Sequence, residues 1–418
     1  MLKLDVAVIG GGPAGSTTAA LCAARGLEVA VFERDTFPRF HIGESMLPQS
    51  RKVWDDLGVT DALEARFLRK YGAQFVDASN GDEQAYRFAE AFDSSVTYAF
   101  QVERADLDHL LLGNAVAKGA KLFSGWSVQK ARPSLAGHGA VDVRDPDGTK
   151  TTVAARIIVD ATGRDGLLSA THGKRETIAG LDNTAFFSHW DGIRRREGQL
   201  EGDIDIVCFP HGWFWNIPFK NGVNSVGAVC RHDWIRELPK GLSPEKIFER
   251  AVELAPWVGE LVANGTRRTE IGALADFSYR VPDIAGDGWC SVGDATGFID
   301  PLFSTGAHLG FVSGRSASIA IGEALAAGDT SKARFAEHEA TVRRGAGLFV
   351  GAVQSFYEGT LQRMIFTRPQ KTAMRRMITS MLAGDVVERS RWTDLFERFL
   401  TGQTAERSAI YGDAESPQ

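Results

Sequence analysis

Long apolar runs are missing from this sequence of 418 residues. No stretch reaches the roughly 20 apolar residues that a membrane-spanning helix needs. An apolar strand is expected at Val6 to Ile9, so early in the chain that no room remains for a signal peptide. We therefore expect a cytoplasmic protein without a membrane partner.

Cysteine is scarce as well. Four cysteines are scattered along the chain: Cys22, Cys208, Cys230 and Cys290. None forms a C-x-x-C pair, which argues against a zinc site and a disulfide framework and fits a reducing compartment. His41, Glu44 and Asp300 also lack the spacing of metal ligands, so we expect no metal.

Positive charge is not in excess. Lys and Arg total 47 against 53 Asp and Glu, which gives a net charge of −6. Nucleic acids and anionic membranes attract basic surfaces, so this balance argues against both as partners. The apolar share of 44% is ordinary, and the length fits two or three structural units.

The chain opens with the pattern of a nucleotide-binding βαβ unit. Within residues 4–35, a buried strand, a glycine turn, an alanine-rich helix and a second strand follow one another. Gly10, Gly12 and Gly15 fit G-x-G-x-x-G, whose glycines allow a tight turn, close approach of a pyrophosphate and packing of helix on strand. Glu33 follows the second strand, where a carboxylate can accept hydrogen bonds from ribose hydroxyls. This order of parts predicts a bound dinucleotide.

A second segment helps to choose between NAD and FAD. The stretch "SVGDATGFIDP" (291–301) is typical of an apolar strand followed by a loop that leads into a helix. Asp294 can hold a ribityl or ribose hydroxyl, and the helix can direct its first N–H groups toward the edge of a flavin ring. Two such sites far apart in the chain indicate a long cofactor laid across one domain.

Five motifs, in order, resemble those of flavoprotein monooxygenases with the p-hydroxybenzoate hydroxylase fold: "GGGPAGSTTA", "FERDTFPRFHIGESMLP", "FQVERADLDHLLL", "DATGRDG" and "GDATGFIDPLFSTGAHLG". The resemblance covers residues 1 to about 330 and implies FAD. By this resemblance the cofactor contacts are Gly10, Gly12, Pro13, Ala14, Gly15, Glu33, Arg34, Glu44, Ser45, Arg104, Asp294, Pro301 and Gly306. Arg104 has an alternative as a surface arginine at a helix start, and Glu44 is either a general base or a structural anchor.

The expected fold is α/β: a Rossmann-like FAD-binding domain with an inserted antiparallel-sheet substrate module and a helical C-terminal region. We assign the FAD-binding domain to 1–175 and 276–330, and the antiparallel module to 176–275, where short alternating strands dominate. Residues 71–100 fit either unit. Residues 331–418 are expected to be helical, with the polar tail "GDAESPQ" disordered.

The stretch "GWFWNIP" (212–218) resembles the W-x-W-x-I-P signature of flavin-dependent halogenases. Its four fixed positions are occupied by Trp213, Trp215, Ile217 and Pro218. Two rigid indoles beside a flavin can exclude a ring-sized substrate and leave a passage for a small ion or acid. Alternating aromatic residues on a strand, taken alone, usually belong to the core, but on a flavoprotein scaffold we favour the wall.

The stretch "FLRKYGAQF" (67–75) resembles the halogenase segment that holds an essential lysine, which we assign to Lys70. Burial would lower the pKa of this amine and make it nucleophilic, so that it forms a haloamine or hydrogen-bonds hypohalous acid. The alternative is a solvated lysine. Arg69 lies beside it, but the spacing to Gly72 favours Lys70.

The stretch "PLFSTGAHLG" (301–310) resembles the loop that binds halide in the same family. Ser304, Thr305 and Gly306 open a helix, so successive N–H groups can converge on chloride or bromide. The alternative is a loop that contacts only phosphate or the flavin ring. His308 is expected to pack within the helix.

The resemblance implies an FADH2-dependent halogenase of secondary metabolism. A separate flavin reductase would supply reduced flavin, and a flavin hydroperoxide would oxidise the halide to hypohalous acid. Lys70 would then deliver the halogen to an electron-rich aromatic ring, such as a pyrrole or a phenol. Two alternatives stay open: an FAD-dependent aromatic hydroxylase or prenyl reductase, and a flavin-binding protein without catalysis.

The aromatic substrate is either free or tethered to an acyl or peptidyl carrier protein. Five basic residues of the C-terminal helices bear on this question: Arg363, Arg368, Lys371, Arg375 and Arg376. They form either a docking face for an acidic carrier or, as we favour, an ordinary solvated face.

Overall fold

The computed structural model describes residues 2–172, 175–388 and 390–400. The tail predicted to be disordered, residues 412–418, lies outside the described residues. No helix in the described ranges is long and apolar enough to cross a membrane. Within the same ranges, no group of three or more His, Cys, Asp or Glu side chains is arranged to hold a metal ion.

The strands are, in chain order, β1 (Lys3–Ile9), β2 (Val29–Glu33), β3 (Leu68–Lys70), β4 (Gly72–Asp77), β5 (Glu83–Arg87), β6 (Ala99–Gln101), β7 (Lys121–Ser124), β8 (Ser127–Arg132), β9 (Gly139–Arg144), β10 (Lys150–Asp160), β11 (Glu176–Thr177), β12 (Asn183–Asp191), β13 (Ile204–Phe209), β14 (Gly212–Pro218), β15 (Asn224–Arg231), β16 (Thr266–Arg267), β17 (Gly272–Ala275), β18 (Tyr279–Arg280), β19 (Ala285–Gly286), β20 (Trp289–Ser291) and β21 (Gly297–Phe298).

The α-helices are α1 (Pro13–Ala23), α2 (Arg51–Leu57), α3 (Thr60–Arg66), α4 (Arg104–Ala117), α5 (Ser169–His172), α6 (His232–Glu237), α7 (Pro244–Glu253), α8 (Pro256–Val262), α9 (Thr305–Ala327), α10 (Ala336–Tyr357), α11 (Thr360–Phe366), α12 (Thr372–Ala383) and α13 (Arg391–Leu400). Short 3-10 turns include Gly293–Ala295 and Pro301–Phe303, which precede α9.

The first large sheet carries the nucleotide-binding turn. Its strands follow the order β19, β20, β10, β1, β2 and β7, with β9 also paired to β10 and β8 to β9. The five strands from β20 to β7 run parallel. Because both faces of a parallel sheet are covered, β1 from Val6 to Ile9 and β2 from Val29 to Phe32 are continuous apolar runs. Helix α1 packs against both α4 and α9 beside it. The loops that follow β1, β2, β10 and β20 therefore meet at one edge of the sheet, where ligands bind in open α/β folds.

The second large sheet has the order β16, β12, β15, β14, β13, β4 and β5, with β17 also paired to β12. The prediction of an inserted antiparallel sheet is confirmed with one exception, because β4 pairs with β13 in parallel. The exception arises because β4 comes from a much earlier part of the chain than its partner. No local turn joins the two strands, so nothing forces them to run in opposite directions.

The second sheet is covered differently on its two faces. One face packs on the C-terminal helices in a large apolar cluster, which includes both indoles of β14 and the four buried methionines of α11 and α12. The other face carries Phe214 and packs on α7 and α8. Alternation along β14 thus sends Trp213 and Trp215 toward the C-terminal helices and Phe214 away from them.

Candidate active site

A single cavity of about 820 Å³ extends from the glycine turn to the second sheet. It is lined by most of the predicted site residues: Gly10, Gly12, Pro13, Ala14, Glu33, Arg34, Glu44, Ser45, Arg104, Trp213, Trp215, Asp294, Pro301, Ser304, Thr305 and Gly306. Two predicted residues, Gly15 and Lys70, do not line it. The structure therefore brings segments from the whole length of the chain to one concave surface.

The glycine turn has room for a pyrophosphate. Gly10 has φ +107°, and a Cβ atom there would stand 2.2 Å from the carbonyl oxygen of Ala161. A Cβ at Gly15 would stand 2.1 Å from the carbonyl oxygen of Gly10, so Gly15 serves close packing of helix on strand. At Gly12, by contrast, the nearest atom belongs to the flexible Arg39, 3.9 Å away. The backbone is thus open to a ligand beside Gly12, at the N-terminus of α1.

Glu33 is held in place at the end of β2. Its carboxylate accepts hydrogen bonds from the N–H groups of Gly11 (2.6 Å) and Asp35 (2.8 Å). A carboxylate has further lone pairs, so Glu33 can still accept from a ribose diol. Its neighbour Arg34 is largely exposed at the cavity edge and pairs with Asp165 at 2.5 Å.

Arg104 is a buried anchor rather than a surface residue. It is 7% exposed, and its guanidinium makes a two-point contact with the fully buried Asp108 at 2.8 and 2.9 Å. It also donates to the carbonyl oxygen of Ile42 at 2.7 Å. The alternative of a surface arginine at a helix start is therefore wrong, and Arg104 fixes the loop after β2.

Asp294 lines the same cavity as the glycine turn. Burial raises the pKa of its carboxyl to about 6, although Arg104 and Arg164 oppose the shift. Hydroxyl groups of a bound sugar or ribityl chain would donate to this carboxylate and restore its preference for the charged form. Together with the open backbone at Gly12, this acceptor fits FAD.

Glu44 joins the two halves of the molecule. It is 2% exposed, and its Oε1 lies 2.7 Å from Nε2 of His189 on β12. The next residue, Ser45, accepts a hydrogen bond from the ammonium of Lys70 at 2.9 Å. The loop after β2 therefore contacts both the second sheet and the predicted lysine.

Lys70 is fully enclosed at the end of β3. It is 2% exposed, and its ammonium also donates to the carbonyl oxygen of Met46 at 3.3 Å and lies 5.4 Å from the ring of Phe88. Burial lowers the pKa of Lys70 to about 7, against the opposing field of Asp203. The alternative of a solvated lysine is wrong for Lys70. Arg69 is the solvated neighbour, paired with Glu64 at 2.7 Å.

Trp213 and Trp215 are both core residues and cavity walls. They are 1% and 5% exposed, and their ring centroids lie 5.9 Å apart. The Trp215 ring crosses the neighbouring strand at Gly227, where a Cβ would stand 2.2 Å from the indole. The indole nitrogens donate to the hydroxyls of Tyr357 (3.0 Å) and Ser225 (3.1 Å). Packing and these hydrogen bonds fix both rings.

The N-terminus of α9 faces the cavity. Its N-cap, Ser304, has φ +57° and makes no side-chain capping hydrogen bond. The first N–H groups of α9 have no partner within the helix, and Ser304, Thr305 and Gly306 all line the cavity. His308 is buried and lies 3.0 Å from Ser50 Oγ, outside the cavity lining.

Several lining residues lie outside the predicted set. Arg164 stands within "DATGRDG", so its motif was a usable signal. Trp126 and Phe277 also line the cavity, but they come from a loop and an irregular segment without a local pattern. Their positions follow only from the tertiary structure.

Comparison with known proteins identifies the family. The tryptophan halogenase family model matches residues 5–94 and 82–366 of this chain. The 1H-pyrrole-2-carbonyl-(peptidyl-carrier protein) chlorinase of Pseudomonas fluorescens is 31% identical over 413 residues, which are 93% of this chain and 90% of that protein. The chain belongs to the flavin-dependent halogenases.

Further relatives agree with this assignment. The tryptophan 2-halogenase of Chondromyces crocatus is 33% identical to this halogenase over 360 residues, 84% of this chain and 67% of that protein. The structure of the myxobacterial chondrochloren halogenase is similar with a TM-score of 0.80 and 29% identity, covering 96% of this chain and 97% of that chain. The predictions of a flavin-dependent halogenase, with FAD and halide, are confirmed. These halogenating relatives do not support the hydroxylase, prenyl reductase and non-catalytic alternatives.

Proposed function

We propose that this halogenase acts on a pyrrole or phenol ring and that Lys70 delivers the oxidised halogen to it. The observation that carries the proposal is one continuous apolar cluster. It contains Trp213 and Trp215, which line the cavity, and Phe88, whose ring lies 5.4 Å from the Lys70 ammonium. The indoles thus belong both to the cofactor side and to the lysine side of the molecule.

In the proposed arrangement, FAD lies along the cavity from the glycine turn to α9. Gly10 and Gly12 admit its pyrophosphate, Glu33 accepts from its ribose and Asp294 from its ribityl chain. When bound and reduced, FAD supplies with O2 the oxidising equivalent that turns a halide into hypohalous acid. The N–H groups of Thr305 and Gly306 hold the halide next to it.

Trp213 and Trp215 separate the oxidation of halide at FAD from the halogenation of the aromatic ring. Both rings are rigid, since each is buried and its nitrogen is hydrogen-bonded. A ring-sized substrate cannot pass such a wall, whereas a hypohalous acid of two heavy atoms needs only a narrow gap. The wall therefore keeps the aromatic ring from being oxygenated at the flavin.

Lys70 is suited to receive hypohalous acid. With a pKa of about 7, Lys70 is a neutral amine in a large fraction of the molecules at neutral pH. The amine nitrogen attacks the halogen, an N–halogen bond forms, the O–halogen bond breaks, and water leaves with the amine proton. The alternative is that the ammonium donates a hydrogen bond to hypohalous acid and orients it. Either form of delivery requires an electron-rich ring, because the halogen reacts as an electrophile.

A separate reductase and a carrier protein are the proposed partners. The P. fluorescens relative, of nearly the same length, acts on a carrier-bound pyrrole according to its name. The basic residues of the C-terminal helices give little support to docking there, because Arg375 pairs with Glu90 at 2.5 Å and Arg376 lies over the ring of Phe92. Arg363, Arg368 and Lys371 are exposed. The cytoplasmic location stays a prediction.

The test is a product analysis with the complete enzyme. The halogenase, FAD, a flavin reductase with NADH, O2 and bromide are incubated with free pyrrole-2-carboxylate, with phenols and with a carrier-bound pyrrole. Mass spectrometry should show a brominated product in at least one of these arms and none without bromide. A hydroxylated product that forms equally without bromide would contradict the proposal.

A further inference from the structure

The hydroxyl of Tyr357 connects three separate elements beside the cavity. Tyr357 is the last residue of α10, in the C-terminal helices. It accepts a hydrogen bond from Nε1 of Trp213 at 3.0 Å and lies 3.0 Å from Oδ2 of Asp300. Trp213 belongs to β14 of the second sheet, and Asp300 belongs to the loop that leads into α9. One hydroxyl thus joins the wall formed by Trp213 and Trp215, the loop of residues 300–304 that leads into α9 (the anion loop) and the C-terminal helices.

The direction of these hydrogen bonds is fixed by chemistry. An indole N–H can only donate, so the Tyr357 oxygen must be the acceptor from Trp213. The hydroxyl then has its own proton free, and it donates this proton to Asp300. Burial raises the pKa of Tyr357 well above its usual value, so the hydroxyl keeps its proton at physiological pH.

Asp300 links the Tyr357 hydroxyl to the backbone of the anion loop. It is fully buried, and its Oδ1 accepts from the N–H of Leu302 at 3.0 Å, which fixes the turn Pro301–Phe303. The turn ends at Ser304, where the φ of +57° directs the chain into α9. Asn183 of β12 donates to the other carboxylate oxygen at 3.3 Å. The position of the first α9 N–H groups therefore depends on Asp300.

We propose that Tyr357 is a positioning residue that holds Trp213 and the anion loop in one mutual geometry. Without its hydroxyl, the buried Trp213 nitrogen loses its acceptor and Asp300 loses a donor. Both the indole and the loop then gain freedom. The expected consequences are weaker halide binding and leakage of oxidising equivalents past the wall. The inference rests on the proposed roles of Trp213 and of the α9 N–H groups.

The test compares Tyr357→Phe with the wild-type, FAD-loaded enzyme. Two quantities are measured: the bromide dissociation constant, from the change in flavin absorbance without aromatic substrate, and the halogenated product formed per O2 consumed. We expect the dissociation constant to rise and the product ratio to fall, each by roughly fivefold or more, because two hydrogen bonds of the network are lost. The rate of O2 consumption should stay within about twofold of wild type, because no cofactor contact is removed.

Tyr86→Phe is the matched control. The Tyr86 hydroxyl is also buried and also ties the C-terminal helices to the second sheet, since it donates to the carbonyl oxygen of Ile365 at 2.9 Å and accepts from Gln370. Neither of these hydrogen bonds involves Trp213 or Asp300. If Tyr357→Phe and Tyr86→Phe change bromide binding and product ratio equally, a specific positioning role for Tyr357 is wrong.

Asp300→Asn gives a second test, which also applies if Tyr357→Phe fails to fold. The Leu302 N–H and the Tyr357 hydroxyl donate to different carboxylate oxygens of Asp300, and asparagine replaces one of these oxygens with an NH2 donor, so one of the two loses its acceptor. We expect the same two changes as in Tyr357→Phe, and unchanged bromide binding in Asp300→Asn would overturn the inference. A wild-type enzyme that binds bromide but halogenates no ring would instead contradict the proposed function. The bromide titration of the variants would still decide the role of Tyr357.

Discussion

At the scale of single residues, the environment of one lysine decides what chemistry it can do. Lys70 and Arg69 are adjacent, yet the first is enclosed and the second is half exposed. The strand β3 points them in opposite directions. Burial lowers the pKa of Lys70 to about 7, and this shift makes its amine available near neutral pH.

Lys70→Ala should abolish halogenation and leave flavin oxidation intact. The substitution removes the proposed carrier of the halogen but no residue of the cavity lining. We expect product formation to fall about 100-fold or more, while O2 consumption with reduced FAD stays within about twofold. Arg69→Ala is the control and should retain wild-type product formation. Halogenation by Lys70→Ala at an undiminished rate would show that the delivering residue is another one.

The burial of Lys70 should also be visible in stability. Its pKa is about 7 in the folded protein and 10.5 in the unfolded chain. Between these values the unfolded chain binds the extra proton, so stability rises with pH; below about 7 both states are charged and the full penalty remains. Lys70→Met removes the penalty. It should raise the Tm most at pH 6 to 7 and progressively less toward pH 10.

The control for this measurement is an exposed lysine. Lys130 lies exposed on β8, so Lys130→Met should give a Tm difference that does not vary with pH in this way. A Tm gain of Lys70→Met that stays constant from pH 6.5 to pH 10 would contradict a buried, weakly basic lysine. Thermal unfolding followed by circular dichroism measures both variants.

At the scale of elements, the wall depends on a glycine in the neighbouring strand. Trp215 of β14 faces Gly227 of β15 in the sheet register. An added Cβ at Gly227 would stand 2.2 to 2.5 Å from three atoms of the indole. The motif of β14 therefore needs a partner strand with no side chain at this point.

Gly227→Ala should displace the Trp215 indole. Overpacking of this kind costs about 1–3 kcal/mol, so we expect a lower Tm together with less halogenated product per O2 consumed. Gly113→Ala is the control, because Gly113 lies in α4 with no atom within 4 Å of an added Cβ. Alanine is the better helix former, so this variant should be as stable as wild type or more stable. Equal behaviour of the two variants would contradict the contact.

These elements differ in how well the sequence predicts them. The βαβ unit of residues 4–35 follows from local patterns, because its strands, turn and helix are consecutive. The parallel pairing of β4 with β13 does not, since the two strands are far apart in the chain and no turn joins them. Tyr357 was missed for the same reason. A tyrosine at the end of a helix carries no local sign that it will meet an indole and a carboxylate from two distant segments.

At the scale of the whole molecule, the cavity lies between the two large sheets. Its glycine turn belongs to the first sheet, its indoles to the second, and Tyr357 closes the network behind them. A cofactor that fills the cavity contacts both sheets, so its binding should stabilise the entire fold. The size of this effect follows from binding linkage, about 2.7 kcal/mol when free FAD is 100 times its dissociation constant.

Gly10→Ala should remove this stabilisation. An alanine at this position would have to adopt a φ of +107°, and its Cβ would stand 2.2 Å from the carbonyl oxygen of Ala161. The turn must therefore move out of the pyrophosphate position. We expect the Tm of wild type to rise with added FAD and that of Gly10→Ala to stay nearly constant. Gly26→Ala carries a similar positive φ of +81° but meets no atom within 4 Å, so it controls for backbone strain alone and should keep the FAD-dependent rise. An undiminished FAD response in Gly10→Ala would mean that the cofactor does not approach the turn between β1 and α1.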